Sequence, residues 1–139
     1  WVDGPSCRCS VAARAIALVG IPFRLRGRNV DAGLDCIGVV ADALSCTGHA
    51  FDVPKDYTLR GDHAGRISGF FGCSCFGVVV GEAVQPGDIS WLRPEIHQAH
   101  LAIITTGGAV HAHAGLGRVV LTPLPLPWPA IGHWRYIGD

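Results

Sequence analysis

The sequence predicts an α+β fold, with N-terminal helices packed on a mostly antiparallel β-sheet. Three observations carry that expectation. Apolar residues recur at helical spacing in the first third of the chain. From Cys73 onward, short β-like runs are separated by turn residues. Near the end, Pro123, Pro125, Pro127 and Pro129 deny the chain every second N–H, so this stretch can be neither helix nor central strand. With 139 residues, 49% of them hydrophobic, the chain can bury a real core and reads as one domain, residues 1–139.

Taken in order, Ser10 is placed as the cap of a first helix over residues 11–19, in which Val11, Ala15, Leu18 and Val19 share an apolar side. Gly20 ends it and Pro22 forbids its resumption. The stretch Phe23-Arg24-Leu25-Arg26-Gly27-Arg28-Asn29 alternates apolar and basic residues and reads as an irregular connector with a short extended piece. A second helix begins at Cys36. Asp35 is a good N-cap, and Ile37, Val40, Ala41 and Leu44 then recur at helical spacing until Gly48 supplies a stop. Residues 48–60 read as a surface loop carrying Tyr57, and residues 60–72 as a glycine-diluted helix burying Ile67, Phe70 and Phe71. Strands are expected over residues 76–80, over 89–92 after the Gln85-Pro86-Gly87-Asp88 turn, and after Pro94. Further strands fall over 99–105 and 109–114, joined by the hairpin signal Thr106-Gly107-Gly108, and over 119–122 and 131–137.

Charge and cysteine usage narrow the function classes. Eleven basic and eleven acidic residues cancel without forming a basic run, so neither nucleic acid nor an anionic membrane surface is a favoured partner. No apolar run approaches the ~18 residues of a membrane-spanning helix, and membrane insertion is not expected. The chain opens at Trp1, which is compatible with a processed start. Of the six cysteines, the two C-x-C pairs (Cys7/Cys9 and Cys73/Cys75) are too tight for an easy internal bridge. They are also closer than the usual spacing of about two to four residues in zinc sites. Reduced thiols, no metal and no cofactor are the expectation.

Chemistry concentrates at two places. In the first turn of its helix, Cys36 meets unpaired backbone N–H groups and the positive end of the helix dipole, which predicts a depressed thiol pKa. A cysteine there can equally be a small buried hydrophobe. The histidines of the hairpin weigh against that reading, since His111 and His113 are two apart on one strand and share a face. A strict two-residue Gly107-Gly108 loop sets Ala102 against His113 and Ile104 against His111, with His100 on the same face. A thiol nucleophile needs an imidazole base and a polar group that fixes the tautomer of that base. Spacing alone chooses His113 as the group beside His100.

Five blocks in order resemble one family: Gly20-Ile21-Pro22-Phe23-Arg24-Leu25-Arg26-Gly27, Gly33-Leu34-Asp35-Cys36-Ile37-Gly38-Val39-Val40, Pro86-Gly87-Asp88-Ile89, His100-Leu101-Ala102-Ile103-Ile104 and Val110-His111-Ala112. They are similar to the NlpC-type papain-like cysteine peptidases. The compact size and Asp56-Tyr57-Thr58-Leu59-Arg60 resemble more closely the phage-tail and gene-transfer-agent branch of cell-wall peptidases.

The resemblance implies a papain-like core and a thiol peptidase acting on peptidoglycan stem peptides, in the periplasm or at the cell wall, with phage-like tail proteins as partners. It implies Cys36 as nucleophile, His100 as base, His111 as orienting residue and Asp35 as the family's acidic neighbour. A bulge or longer loop near residues 105–109 would reconcile His111 with the hairpin, leaving His113 as a substrate contact. Phe23 stands where many members carry tyrosine and Ile37 where serine is common, which leaves oxyanion assistance to the Cys36 N–H and to Arg24 or Arg26. Three other readings stay open: a non-catalytic module of a tail tip, an acyltransferase or amidase on the same scaffold, and a metal-binding module using His97, His100, His111 and His113.

Overall fold

Helix α1 (Gly4–Ala17) begins earlier than the expected Ser10 cap. Pro5 falls in its first turn, where a missing N–H costs nothing and the fixed φ favours the helix, so Ser10 is an interior residue and not a cap. The helix closes through a tight turn to Gly20, whose φ of 97° lies in the left-handed region. In this computed structural model the described residues are 4–48, 71, 76–80, 84–94 and 100–137. The loop expected over residues 48–60 and the helix over 60–72 lie outside them, apart from Gly48 and Phe71. So do Cys73, Cys75 and His97, and the strand expected immediately after Pro94.

The connector is more ordered than its sequence suggested. Strands β1 (Arg28–Asn29) and β2 (Gly33–Leu34) form a small antiparallel ladder, and Phe23 bridges to Leu34. Helix α2 (Cys36–Leu44) follows directly, capped by Asp35, whose side chain accepts from the Gly38 N–H. A 3₁₀ turn over Ser45–Thr47 leads to Gly48 at φ 78°, so the α-helix itself stops sooner than the glycine. A Cβ on Gly38 would collide with the carbonyl oxygen of Gly27, so the absence of a side chain is what lets α2 lie against the connector.

The remaining strands are β3 (Phe76–Val78), β4 (Ile89–Leu92), β5 (His100–Thr105), β6 (Gly108–His113), β7 (Arg118–Thr122) and β8 (Ala130–Tyr136). Among the described residues they make one sheet in the order β3-β8-β4-β5-β6-β7, with every pair antiparallel. The proline-rich stretch between β7 and β8 carries no regular structure, as its missing N–H groups require. The Pro86-Gly87-Asp88 block serves the fold. Asp88 is wholly buried, accepts from the Gln85 N–H at 2.8 Å and pairs with Arg135 on β8 through two bonds of 2.8 and 2.9 Å. Removing either partner would leave a buried charge uncompensated.

Strand alternation divides the sheet into two faces. Leu101, Ile103, Val110, Ala112, Val119, Ile89 and Trp91 join Val11, Leu18, Val39, Val40 and Leu44 of the helical layer in the main core. Leu92, Ala102, Ile104 and Ala109 form a smaller cluster on the other face, and Leu126 and Trp128 of the proline-rich strap pack over it. His100 and His111 alternate with the main-core residues and so belong to the strap side.

The hairpin register differs from the simple expectation. The turn is Thr106-Gly107, so Thr105 pairs with Gly108, Ile104 with Ala109 and Ile103 with Val110. The expected Gly107-Gly108 loop is thereby corrected. Gly108 enters the strand at φ 144°, where a Cβ would strike the Thr122 carbonyl, and Thr105 Oγ1 donates to the Gly108 carbonyl at 2.8 Å. Carried one residue further, this register sets His111 opposite Ala102 and diagonal to His100.

Candidate active site

Asp35 builds the cysteine side of the site. Its carboxylate is buried and accepts from the Gly38 N–H at 2.9 Å, the Arg26 N–H at 2.7 Å and Arg28 Nη1 at 3.1 Å. Those bonds tie the first turn of α2 to the connector and fix where Cys36 begins. Arg26 supplies its amide from a φ of 59°, a left-handed conformation that glycine normally fills. Arg24 and Arg26 have exposed side chains, and the guanidinium that reaches this end of α2 is that of Arg28. Sequence reading singled out the first two and missed the third.

Cys36 is half-buried and unbridged. Burial pushes its thiol up to about 12 and the Asp35 charge pushes the same way, while the backbone at Leu101 and Ile37 and the Arg28 charge pull against them. The expected depressed pKa is therefore corrected: at this helix start, desolvation and the Asp35 charge outweigh the backbone donors and Arg28. The resting group is a thiol. The backbone hydrogen bond between Leu101 and the sulfur places Cys36 beside the residue that follows His100. The backbone pairing of β5 with β6 ends at Ile103 and Val110, and beyond it the two strands are joined by the His100–His111 side-chain bond.

On that side His100 Nε2 and His111 Nδ1 lie 2.9 Å apart, with rings nearly perpendicular. His111 is wholly buried, and its Nε2 is 2.8 Å from Thr122 Oγ1. Burial and the neighbouring His111 and His113 hold His100 down to about 3. Burial and His113 hold His111 at about 4. Both are neutral across the ordinary pH range. Trp128 stands edge-on to both rings, its centroid 5.5 Å from that of His100 and 5.4 Å from that of His111. His113 turns to its own loop, where Nδ1 accepts from the Leu116 N–H at 3.1 Å.

Geometry thus brings His111, and not His113, to His100. Nothing in spacing alone pointed to Thr122 or Trp128, since both reach the histidines from segments whose placement depends on the loops before them. No group of three or more His, Cys, Asp or Glu side chains among the described residues is disposed to hold a metal.

No protein-family model and no curated protein matches the sequence. Solved structures do resemble the fold. RipB, a peptidoglycan hydrolase of Mycobacterium tuberculosis, superposes with a TM-score of 0.64 at 21% identity, over 98% of this chain and 67% of that one. The P60 domain of an antigen from M. avium subspecies paratuberculosis gives a TM-score of 0.68 at 17% identity, over 98% of both chains. RipD of M. tuberculosis, described as a non-catalytic NlpC/p60 domain protein adapted to peptidoglycan binding, gives 0.61 at 17% identity, over 94% of this chain and 97% of that one. The fold is that of the NlpC/P60 papain-like domains.

Proposed function

We propose that the chain is a cysteine peptidase that hydrolyses amide bonds in peptidoglycan stem peptides. The observation that carries the reading is the His100–His111 hydrogen bond, at the start of the strand whose next residue bonds the Cys36 sulfur. His100 Nε2 is engaged by His111, which leaves Nδ1 as the ring nitrogen for the thiol. Cys36 Sγ would attack the scissile carbonyl carbon while its proton passes to His100 Nδ1, and His100 would return that proton to the leaving amine. The thioester that remains is cleaved by water, whose proton again goes to His100 and then restores the thiol. The Cys36 N–H, in the first turn of α2, would be a donor to the oxyanion. Because the resting pair is neutral, the nucleophile is made as it attacks and is not stored as thiolate.

The solved neighbours support peptidoglycan as the substrate. A setting in a phage-like tail or gene-transfer agent, with tail proteins as partners, rests on the likeness of Asp56-Tyr57-Thr58-Leu59-Arg60 to that branch. A second reading, a non-catalytic peptidoglycan-binding module, is favoured by the high thiol pKa and by Phe23 in the usual tyrosine position. One experiment separates them. A purified stem-peptide fragment is incubated with the wild-type chain and with Cys36→Ala, and both hydrolysis and binding are measured. Hydrolysis that Cys36→Ala abolishes supports the peptidase. Binding of the fragment without hydrolysis supports the module and overturns the peptidase.

A further inference from the structure

We infer that Thr122 is a positioning residue that sets the tautomers of the histidine pair, a role in catalysis that rests on the peptidase reading above. His111 has two ring nitrogens and, being wholly buried, two partners: His100 Nε2 at 2.9 Å and Thr122 Oγ1 at 2.8 Å. Only two proton arrangements satisfy this chain. In one, His111 Nε2–H donates to Thr122 Oγ1, His100 Nε2–H donates to His111 Nδ1, and His100 Nδ1 is left as a base. In the other every proton is reversed, so that the Thr122 hydroxyl donates to His111, His111 Nδ1–H donates to His100 Nε2, and His100 Nδ1 carries a proton. The second arrangement cannot accept a proton from Cys36.

When His100 is protonated on both nitrogens, only the first arrangement remains, because His111 Nδ1 must then accept. His111 must carry its own proton on Nε2, and that N–H needs an acceptor. Thr122 is the acceptor provided. It ends β7 opposite Ala109, diagonal to His111 on the strap side of the sheet, where the small Ala109 leaves room for the hydroxyl to reach the ring. Water is poorly placed to substitute, since His111 is sealed from solvent and Trp128 covers both rings edge-on. Without an acceptor, a buried N–H would be left unpaired in the very state that the reaction must pass through.

The test replaces the hydroxyl by a methyl group of the same shape. In Thr122→Val, imidazole nitrogen NMR should report both histidines shifted to their Nδ1–H forms, whereas the wild type carries protons on Nε2 of each. Thr122→Ser should restore the wild-type pattern. Turnover of the stem-peptide fragment should fall roughly tenfold to a hundredfold in the valine variant, the equivalent of a lost hydrogen bond to a buried group, and recover in the serine variant. Unchanged tautomers in Thr122→Val, with only a lower melting temperature, would reduce the bond to packing and overturn the assignment. So would a wild-type spectrum that already shows His100 protonated on Nδ1. The spectra are read without substrate. If the wild type hydrolyses nothing while the tautomers shift as stated, the peptidase reading fails and the tautomer assignment stands.

Discussion

The two halves of the site are built by different means. The cysteine half is local: Asp35, Cys36 and Gly38 lie within a few residues of Arg26 and Arg28, and one carboxylate ties the turn, the connector and the helix together. The histidine half is assembled from distant strands, since His100, His111, Thr122 and Trp128 meet only after the sheet and its strap are in place. Backbone amides and one buried carboxylate fix the first half, while side chains bonded to side chains fix the second. A local frame survives small changes elsewhere, whereas a chain of imidazoles loses its meaning if one strand slips.

The largest expected effect tests whether the local half is chemical at all. Cys36→Ala should abolish hydrolysis of a stem-peptide fragment and leave the melting temperature close to wild type. Cys46, exposed on the following 3₁₀ turn with its sulfur 3.0 Å from the Ala43 carbonyl, should tolerate alanine with activity within a few-fold. Equal losses in a side-by-side assay would remove Cys36 from its role.

The distant half orders the next effects. His100→Ala should lower turnover by about 10²–10⁴-fold, the usual worth of a general acid–base group. His111→Ala should follow with a smaller loss, of order tenfold or more, because it removes a buried hydrogen bond and opens a cavity beside the base. His111→Asn should retain part of the activity, since an amide can still hold an imidazole. His113→Ala should change turnover least, because His113 bonds the Leu116 amide of its own turn. If alanine at 113 is crippling and alanine at 111 harmless, the histidine bond seen here does not serve the reaction.

These halves were unequally legible. The Asp35 cap, the start of α2 at Cys36 and the limits of β4 follow from residues that touch their near neighbours, so propensity and periodicity suffice. The hairpin register did not follow, because moving the turn by one residue moves every partner by two, and Thr106-Gly107 is as good a turn in sequence as Gly107-Gly108. The Cys36 pKa failed for a related reason. The helix start is visible in the sequence, but the burial that outweighs it is a property of the packed chain that no local pattern shows. Arg28 was passed over because only the β1–β2 ladder turns it toward Asp35.

Titration separates the halves by the direction of their pH response. His100 and His111 sit at about 3 and about 4 in the folded chain, against an ordinary 6.5. Between those values the unfolded chain takes up protons that the folded chain refuses. Stability is therefore full above about pH 6.5 and falls as the pH drops, by up to about 1.4 kcal/mol per pH unit for each proton. Cys36 acts at the other end. Its folded thiol keeps its proton to about 12 while the unfolded one loses it near 9.0, so stability falls as the pH rises above about 9. Urea midpoints measured from pH 4 to pH 10 should show a plateau near pH 7–9. His111→Asn should make the acid limb shallower, leaving the share of His100, and Cys36→Ala should flatten the alkaline limb; a curve indifferent to both would contradict the burial described.

The smallest effect lies in the local half and asks whether its frame is strained. Arg26 holds a φ of 59° so that its amide can reach Asp35 Oδ2 at 2.7 Å. For an L-residue that conformation costs about 1–2 kcal/mol. Glycine removes that cost but has more conformational freedom to lose on folding, worth about 0.5–1 kcal/mol. The second offsets part of the first, so Arg26→Gly should stabilise the chain by up to about 1 kcal/mol in urea unfolding while keeping the amide bond to Asp35. Arg26→Ala keeps the strained φ and should bring no gain. Arg26→Pro should be damaging, since it deletes the amide and cannot adopt a positive φ. The glycine and alanine variants differ only at Cβ, so the gap between them measures the strain in the turn that holds Asp35 against α2, less the extra backbone freedom that glycine loses on folding. If glycine is the less stable of the two, the strain of the left-handed turn is smaller than that entropy cost and the frame around Cys36 is close to relaxed.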